Sequence, residues 1–187
     1  LHQQSGEKRT FCWHDHFATS STKVRNPGAL LSQNPKLRTM GRGDFRSLAL
    51  AMLTDAALLY WLDGEKNSAG APNENLSREF MELFALGHGD GYTEQDVRES
   101  ARAFTGWGHD GVQFTFRPFQ HDDGPKSFLG KTGNFDGDDV IDLLFEHPAL
   151  PAHVAGRLYN FFVCESVDDS IARALGAIYR SLKVLRK

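Results

Sequence analysis

The stretch from Asn73 to Trp107 constrains this chain more than any other. Apolar residues recur there at helical spacing twice, at Leu76, Phe80, Leu83 and Phe84, then at Val97, Ala101 and Phe104. Between the two runs lies a glycine-broken turn, His88-Gly89-Asp90-Gly91-Tyr92. Asn73 stands where an N-cap belongs, and Gly87 where a C′ glycine ends a helix. Thr93 and Asp96 have the spacing of a capping box, with Asp in place of the usual Glu. The text predicts an αα-hairpin that ends at Gly106.

Helical text also dominates on either side. Glu7–Thr19 reads as an aromatic-rich helix with Phe11, Trp13 and Phe17. Residues 20–43, with Pro27, Gly28 and Pro35, read as a long loop. Asp44 caps a helix to Leu53, and Thr54 is expected to cap a second, to Leu62, before Asp63-Gly64. Helices resume at Asp138 or Asp139 through Glu146, at Pro151 through Val163, and after Asp168, where Ile171, Leu175, Ile178 and Leu182 make an apolar face. The only strand-like text lies within 108–137. Val112, Phe114 and Phe116 alternate with polar residues, and Ser127-Phe128-Leu129-Gly130 is expected to return as the partner strand. The expected fold is a mainly α, single helical domain over 1–187, with an αα-hairpin and a small β-hairpin or loop insertion at 108–137.

Composition narrows the partners. Twenty-one basic residues against 24 acidic, without a basic block, leave no nucleic-acid footprint. No apolar run approaches the roughly 20 residues of a membrane span. Cys12 and Cys164 lie far apart, form no metal spacing, and read as buried free thiols. Both ends read as cut, since the chain begins at Leu1 without Met and ends inside helical text, so a fragment of a longer protein is expected.

Several groups could carry chemistry. On the first helix of the hairpin Glu79 falls between Leu83 and Leu86 around the wheel, and Asn75, Glu79 and Glu82 form a polar stripe on the shoulder of the core. Glu74, Arg78 and Glu82 are four apart and can pair along the surface. A half-buried Glu79 needs a partner. Either Arg98 or Arg102 from the next helix supplies it, or Glu79 and Glu82 are acid/base or metal-ligand carboxylates, with Arg78 or Lys126 holding an anionic group. His14 and His16 would point to one side of a strand, but on a helix they sit about 200° apart, so one at most faces a site. His121, Asp122, Asp123 and Lys126 cluster in one turn, and Asp136, Asp138 and Asp139 in another; loop oxygens of this kind suit hard cations, or merely cap turns and helices. Gly124 to Thr132 resembles a phosphate-binding loop but has five residues between its glycines instead of four. No GxSxG, HExxH or CxxCH appears.

Four segments taken together resemble one bacterial family, domain of unknown function 1800. They are WHDHFATS, APNENLSREFMELFALGHGDGYTEQDVRESARAFTGW, HDDGPKSFLGKTGNFDGDDVIDLLFEHP and LYNFFV, in that order from Trp13 to Val163. Phe80, where the pattern often has Leu, and Cys12 before the tryptophan are the small departures. The family motif contains the residues already chosen on physical grounds: His14, His16, Arg78, Glu79, Glu82, His121, Asp122 and Lys126. The resemblance brings no established reaction. It implies a long, exported bacterial protein encoded beside a sulfatase-like protein.

Two expectations follow. In the first the protein is an exported, metal-assisted hydrolase or transferase. Glu79 or Glu82 would act as base or ligand, with His14 or His16 and the loop residues His121 and Asp122 as donors to a divalent metal, all converging on one cleft. In the second it is a non-catalytic module that binds or matures a partner, possible partners being sulfatase-like, and its polar motif is a structural network.

Overall fold

The computed structural model describes residues 2–89, 91–163 and 166–184. Among the described residues the chain is mainly α, as its periodicity predicts, with two small antiparallel strand pairs. No helix among the described residues is long and apolar enough to cross a membrane.

Helix α1 (His2–His16) brings Trp13 and Phe17 into the core, where Trp13 stacks on Phe45 at 5.5 Å and Phe17 meets Phe84 at 4.9 Å. The predicted loop at 20–43 is corrected by α2 (Pro27–Met40). Asn26 caps it by accepting from Ala29 N, and Pro27 occupies the first turn, where no amide is needed. Pro35 sits inside the helix but on its exposed side, beside an exposed Leu31. The buried face is only Ala29, Gln33 and Leu37, too thin a stripe to outweigh two prolines in a sequence reading.

Asp44 caps α3 (Phe45–Leu53) as expected. The cap of α4 (Ala56–Trp61) is Asp55 rather than Thr54. Asp55 accepts from Ala57 N and Leu58 N, while Thr54 closes α3 by donating to Leu50 O.

The hairpin is present. Asn73 accepts from Asn75 N just before α5 (Asn75–Glu79), which widens into a π-helical segment, Phe80–Ala85. Leu86 N consequently bonds back five residues, to Met81 O at 2.8 Å. The added width shifts the wheel, so Leu83, placed by the 100° rule in the apolar arc, is 43% exposed while Met81 and Leu86 are buried. Gly87, with φ 96°, ends the segment in the conformation expected of a C′ glycine. The Thr93–Asp96 capping box opens α6 (Glu94–Ala103), and the Ser77 and Ser100 hydroxyls bond across the hairpin.

The strands differ from expectation in their pairing. β1 (Trp107–His109) pairs with β2 (Phe114–Phe116), and β3 (Lys126–Phe128) pairs with β4 (Lys131–Gly133). The alternating segment thus folds back on the residues before it, because Asp110-Gly111 is the nearer turn. The text resembling a phosphate-binding loop is the second hairpin. Its two-residue turn puts Leu129 at φ 48° and Gly130 at φ 76°. Left-handed geometry disfavours a leucine, but Leu129 N donates to Asp96 Oδ1 at 2.7 Å, which ties the turn to the start of α6.

Helix α7 (Gly137–Glu146) is capped by Asp136, with Asp139 closing a second capping box. Gly137 lies so close to Trp107 that a Cβ would come within 2.2 Å of its ring. Helices α8 (Leu150–Val163) and α9 (Asp169–Val184) form a second antiparallel pair. Gly176 of α9 is buried against the Ala152 backbone, flanked by half-buried Ala172, Leu175 and Tyr179, so of the predicted face Leu175 turns inward. The prediction is corrected at Ile171 and Ile178, which look outward, Ile178 with 56% exposure. The side chain of Leu182 and all of Cys164 lie outside the described residues, while Cys12 is buried and free.

Candidate functional site

The residues selected from the sequence fall into three places. The first is the outer face of α5. Arg78 stands among three carboxylates: Glu74 at 2.9 Å, Glu94 at 2.8 Å from the following helix, and Glu82 at 3.5 Å. These bonds hold its guanidinium well above the ordinary range. Glu82 also lies 3.3 Å from His88 Nδ1. Glu79, one turn before Glu82 and at the point where the α-helix gives way to the π segment, has no hydrogen bond or ion pair among the described residues. Burial, then the neighbouring Glu82 carboxylate, raises its pKa above the usual range. The expected Glu79–Arg98 or Glu79–Arg102 pair does not form.

The second place is the corner between α6 and the loop at 121–126, where Arg102 is committed. It grips Asp122 with two bonds, Nε to Oδ2 at 2.7 Å and Nη2 to Oδ1 at 3.1 Å, and also donates to Glu99 and to Pro125 O. The Arg102 bonds push the Asp122 carboxyl below its ordinary range. Lys126 is 1% exposed and donates to Asp122 O at 2.6 Å and Gly124 O at 3.0 Å, so its ammonium staples the loop from inside. Burial lowers its pKa. His121 Nδ1 donates to Thr105 O at 2.8 Å, and Asp122 N donates to the Thr105 hydroxyl. His121, Asp122 and Lys126 are together here as the sequence suggests, but every polar atom just named is bonded within the protein.

The third place is the core. His16 is buried among Trp13, Phe17, Phe45 and Phe84, and its Nε2 donates to Phe84 O at 3.1 Å. A carbonyl only accepts, so Nε2 carries the proton. Burial pushes the pKa of this ring down to about 3. The widened helix leaves carbonyls without partners at its C-terminal end, and two histidines take them: His16 the one on Phe84, His153 of α8 the one on Leu83 at 3.0 Å. His14 is exposed, as expected of two histidines spaced on a helix.

No hydrogen bond or ion pair among the described residues joins Glu79 or Glu82 to His14, His16, His121, Asp122 or Lys126, and no group of three or more His, Cys, Asp or Glu side chains there is arranged to hold a metal ion. Three residues that matter, Asp55, Asn67 and His153, were missed in the sequence, and a fourth, Asp96, does more than close its capping box. Asp55 is fully buried and holds Gln33 Nε2, Lys36 Nζ and two amides of α4. Asn67, also buried, joins Ala101 O to Asn73 N. Asp96 serves both its capping box and the Leu129 turn. His153 holds the π segment. The available signal was the Asp before the apolar run at Ala56; Asn67 and His153 sit in text without periodicity or motif.

No curated protein and no solved structure matches the chain. One family's sequence profile does match, over residues 2–184, which is nearly the whole chain. The chain belongs to the family described as protein of unknown function (DUF1800).

Proposed function

We propose that this chain is a non-catalytic helical module that docks on a partner protein, and that its polar motif holds the scaffold in shape. The observation that carries the reading is the fate of the motif's side chains. His16, Arg78, Arg102, Asp122 and Lys126 commit their polar atoms to the protein's own helices and loops. On the outer side of α9, Ile171 and Ile178 are exposed, and they supply apolar area that a docking surface needs. The resemblance makes an exported, sulfatase-like protein the partner to test first. The two purified full-length proteins are mixed and their mass measured by light scattering after gel filtration. A complex at about 10 µM that Ile178→Ser weakens at least about tenfold, with its melting temperature unchanged, supports the reading. Absence of a complex at that concentration overturns it for this partner class.

Glu79 favours a second reading. Its carboxyl has no hydrogen bond or ion pair among the described residues, its pKa is raised, and it is set beside Glu82, which Arg78 and His88 hold. Pairs of acids in such unequal surroundings are how proton donors and acceptors are built. In that case the protein is a metal-assisted hydrolase or transferase, a chemistry that paired carboxylates suit. Elemental analysis of full-length protein purified without tag or chelator tests it. A stoichiometric divalent metal lost in Glu79→Gln supports the enzyme, and equal metal content in both proteins removes Glu79 from any metal site.

A further inference from the structure

A cleft of about 540 Å³ opens between α8, α9 and the end of the π segment. That volume lies within the roughly 300–1,000 Å³ of small-molecule sites. Its apolar walls are Leu86, Ala149, Ala152, Val167 and Ala172. Two guanidiniums line it as well, Arg157 from α8 and Arg173 from α9, together with His153, Asn160 and one carboxylate, Asp169.

These two arginines differ from those that build the fold. Arg38, Arg46, Arg78 and Arg102 each hold a carboxylate in close contact. Arg157 has only Asp15, at 3.8 Å. Arg173 makes no ion pair or hydrogen bond among the described residues, although Asp169 stands one turn before it on the same helix. Asn160 accepts from Val167 N at 2.9 Å, which leaves its NH2 group without a partner among the described residues. His153 is fixed by its bond to Leu83 O. Arg157 keeps only a long contact to Asp15, and Arg173 has only electrostatic neighbours in Asp168 and Asp169, so neither guanidinium spends its fork on a close carboxylate among the described residues. A guanidinium fork matches a planar carboxylate in particular.

We propose that this cleft binds a small carboxylic acid with a short apolar chain, its carboxylate held by Arg157 and Arg173 and its chain lying on the Leu86–Ala152 wall. The inference goes beyond the docking reading and stands or falls separately from it.

Titration of the full-length protein with octanoate, and in parallel with its neutral analogue octanamide, tests the proposal by calorimetry. Octanoate is expected to saturate one site, with octanamide at least about tenfold weaker. Arg157→Gln and Arg173→Gln each weaken octanoate about tenfold. Arg42→Gln, which removes an exposed guanidinium outside the cleft, leaves binding unchanged and controls for net charge. Arg173 makes no hydrogen bond or ion pair among the described residues, so a folded Arg173→Gln variant is expected, and its melting temperature verifies this. No saturation below about 10 mM, equal binding of acid and amide, or arginine variants that bind like the parent protein would each overturn the proposal.

Discussion

Asp55 and Glu79 are both drawn back from water, and they are treated in opposite ways. Asp55, at the start of α4, is fully buried and receives four donors: two backbone amides, the Gln33 amide and the Lys36 ammonium. Glu79, on α5, is half-buried and receives none among the described residues. The sequence singles out Glu79 and passes over Asp55. A helical wheel places a side chain on a face but does not reveal what crosses from other elements to meet it. Lys36 and Gln33 reach Asp55 from α2, a helix that its two prolines disguise as a loop.

The comparison predicts that Asp55 is the structural carboxylate. Asp55→Ala leaves Lys36, Gln33 and two helix amides without their acceptor, and should cost about 3–5 kcal/mol, the range for breaking a buried ion pair. Chemical denaturation measures it. A loss under about 1 kcal/mol would mean that water replaces the carboxylate and that burial at α4 is shallower than it looks.

His16 is the cationic counterpart of this logic, a titratable group kept neutral by burial. Its folded pKa near 3 lies below the ordinary 6.5. Between those values the unfolded chain binds a proton that the folded chain refuses. Its contribution is therefore intact above pH 6.5 and declines as pH falls, by about 1.4 kcal/mol for each pH unit. Stability measured at pH 7, 6, 5 and 4 should show that slope, and His16→Gln should lack it while being weaker at pH 7 for want of a well-placed donor to Phe84 O.

The Arg102 corner comes next in size. Arg102→Met frees Asp122, Glu99 and the Pro125 carbonyl together, but these groups are partly open to solvent. A loss of about 2 kcal/mol is expected, read as a lower melting temperature. Because Arg102 also keeps the Asp122 carboxyl acidic, the loss should shrink as pH falls through the lowered Asp122 pKa and that group protonates.

How far the chain could be read in advance follows from where the information lies. Capping signals are local and survive: Asp44, the Thr93–Asp96 box and the glycine at Gly87 all appear as expected, and so does the helical class of the fold. What was lost depends on relations between distant segments. The π segment after Glu79 adds width that a fixed 100° rotation cannot anticipate, so Leu83 turns outward. The strand at Phe114 had two possible partners, and the nearer turn won. On α9 the large apolar residues suggested the packed edge, whereas close approach to α8 at Gly176 leaves Ile171 and Ile178 facing outward. The grouping of His121, Asp122 and Lys126 was legible because they share one loop; that Arg102 of α6 is the residue that grips Asp122 there was not, since sequence order says nothing about it.

The smallest predicted effect is also the one that decides what Glu79 is. Its pKa is raised in the folded protein, so folding favours its protonated form. The sign is the reverse of the Asp122 case: its contribution is most favourable below the ordinary value of 4.5 and is lost as pH rises through the folded pKa, leaving an ionised carboxylate next to Glu82 at pH 7. Glu79→Gln removes that repulsion and should stabilise the protein at pH 7, by less than about 1 kcal/mol because the site is only half-buried. At pH 4 the parent carboxyl is protonated too, and the two proteins should melt alike. A destabilising Glu79→Gln at pH 7 would show that the carboxylate has a partner in solution and would bring it into line with Asp55. A stabilising one would mark Glu79 as a charge kept against the interest of the fold, the condition expected of a residue retained for chemistry or for a partner.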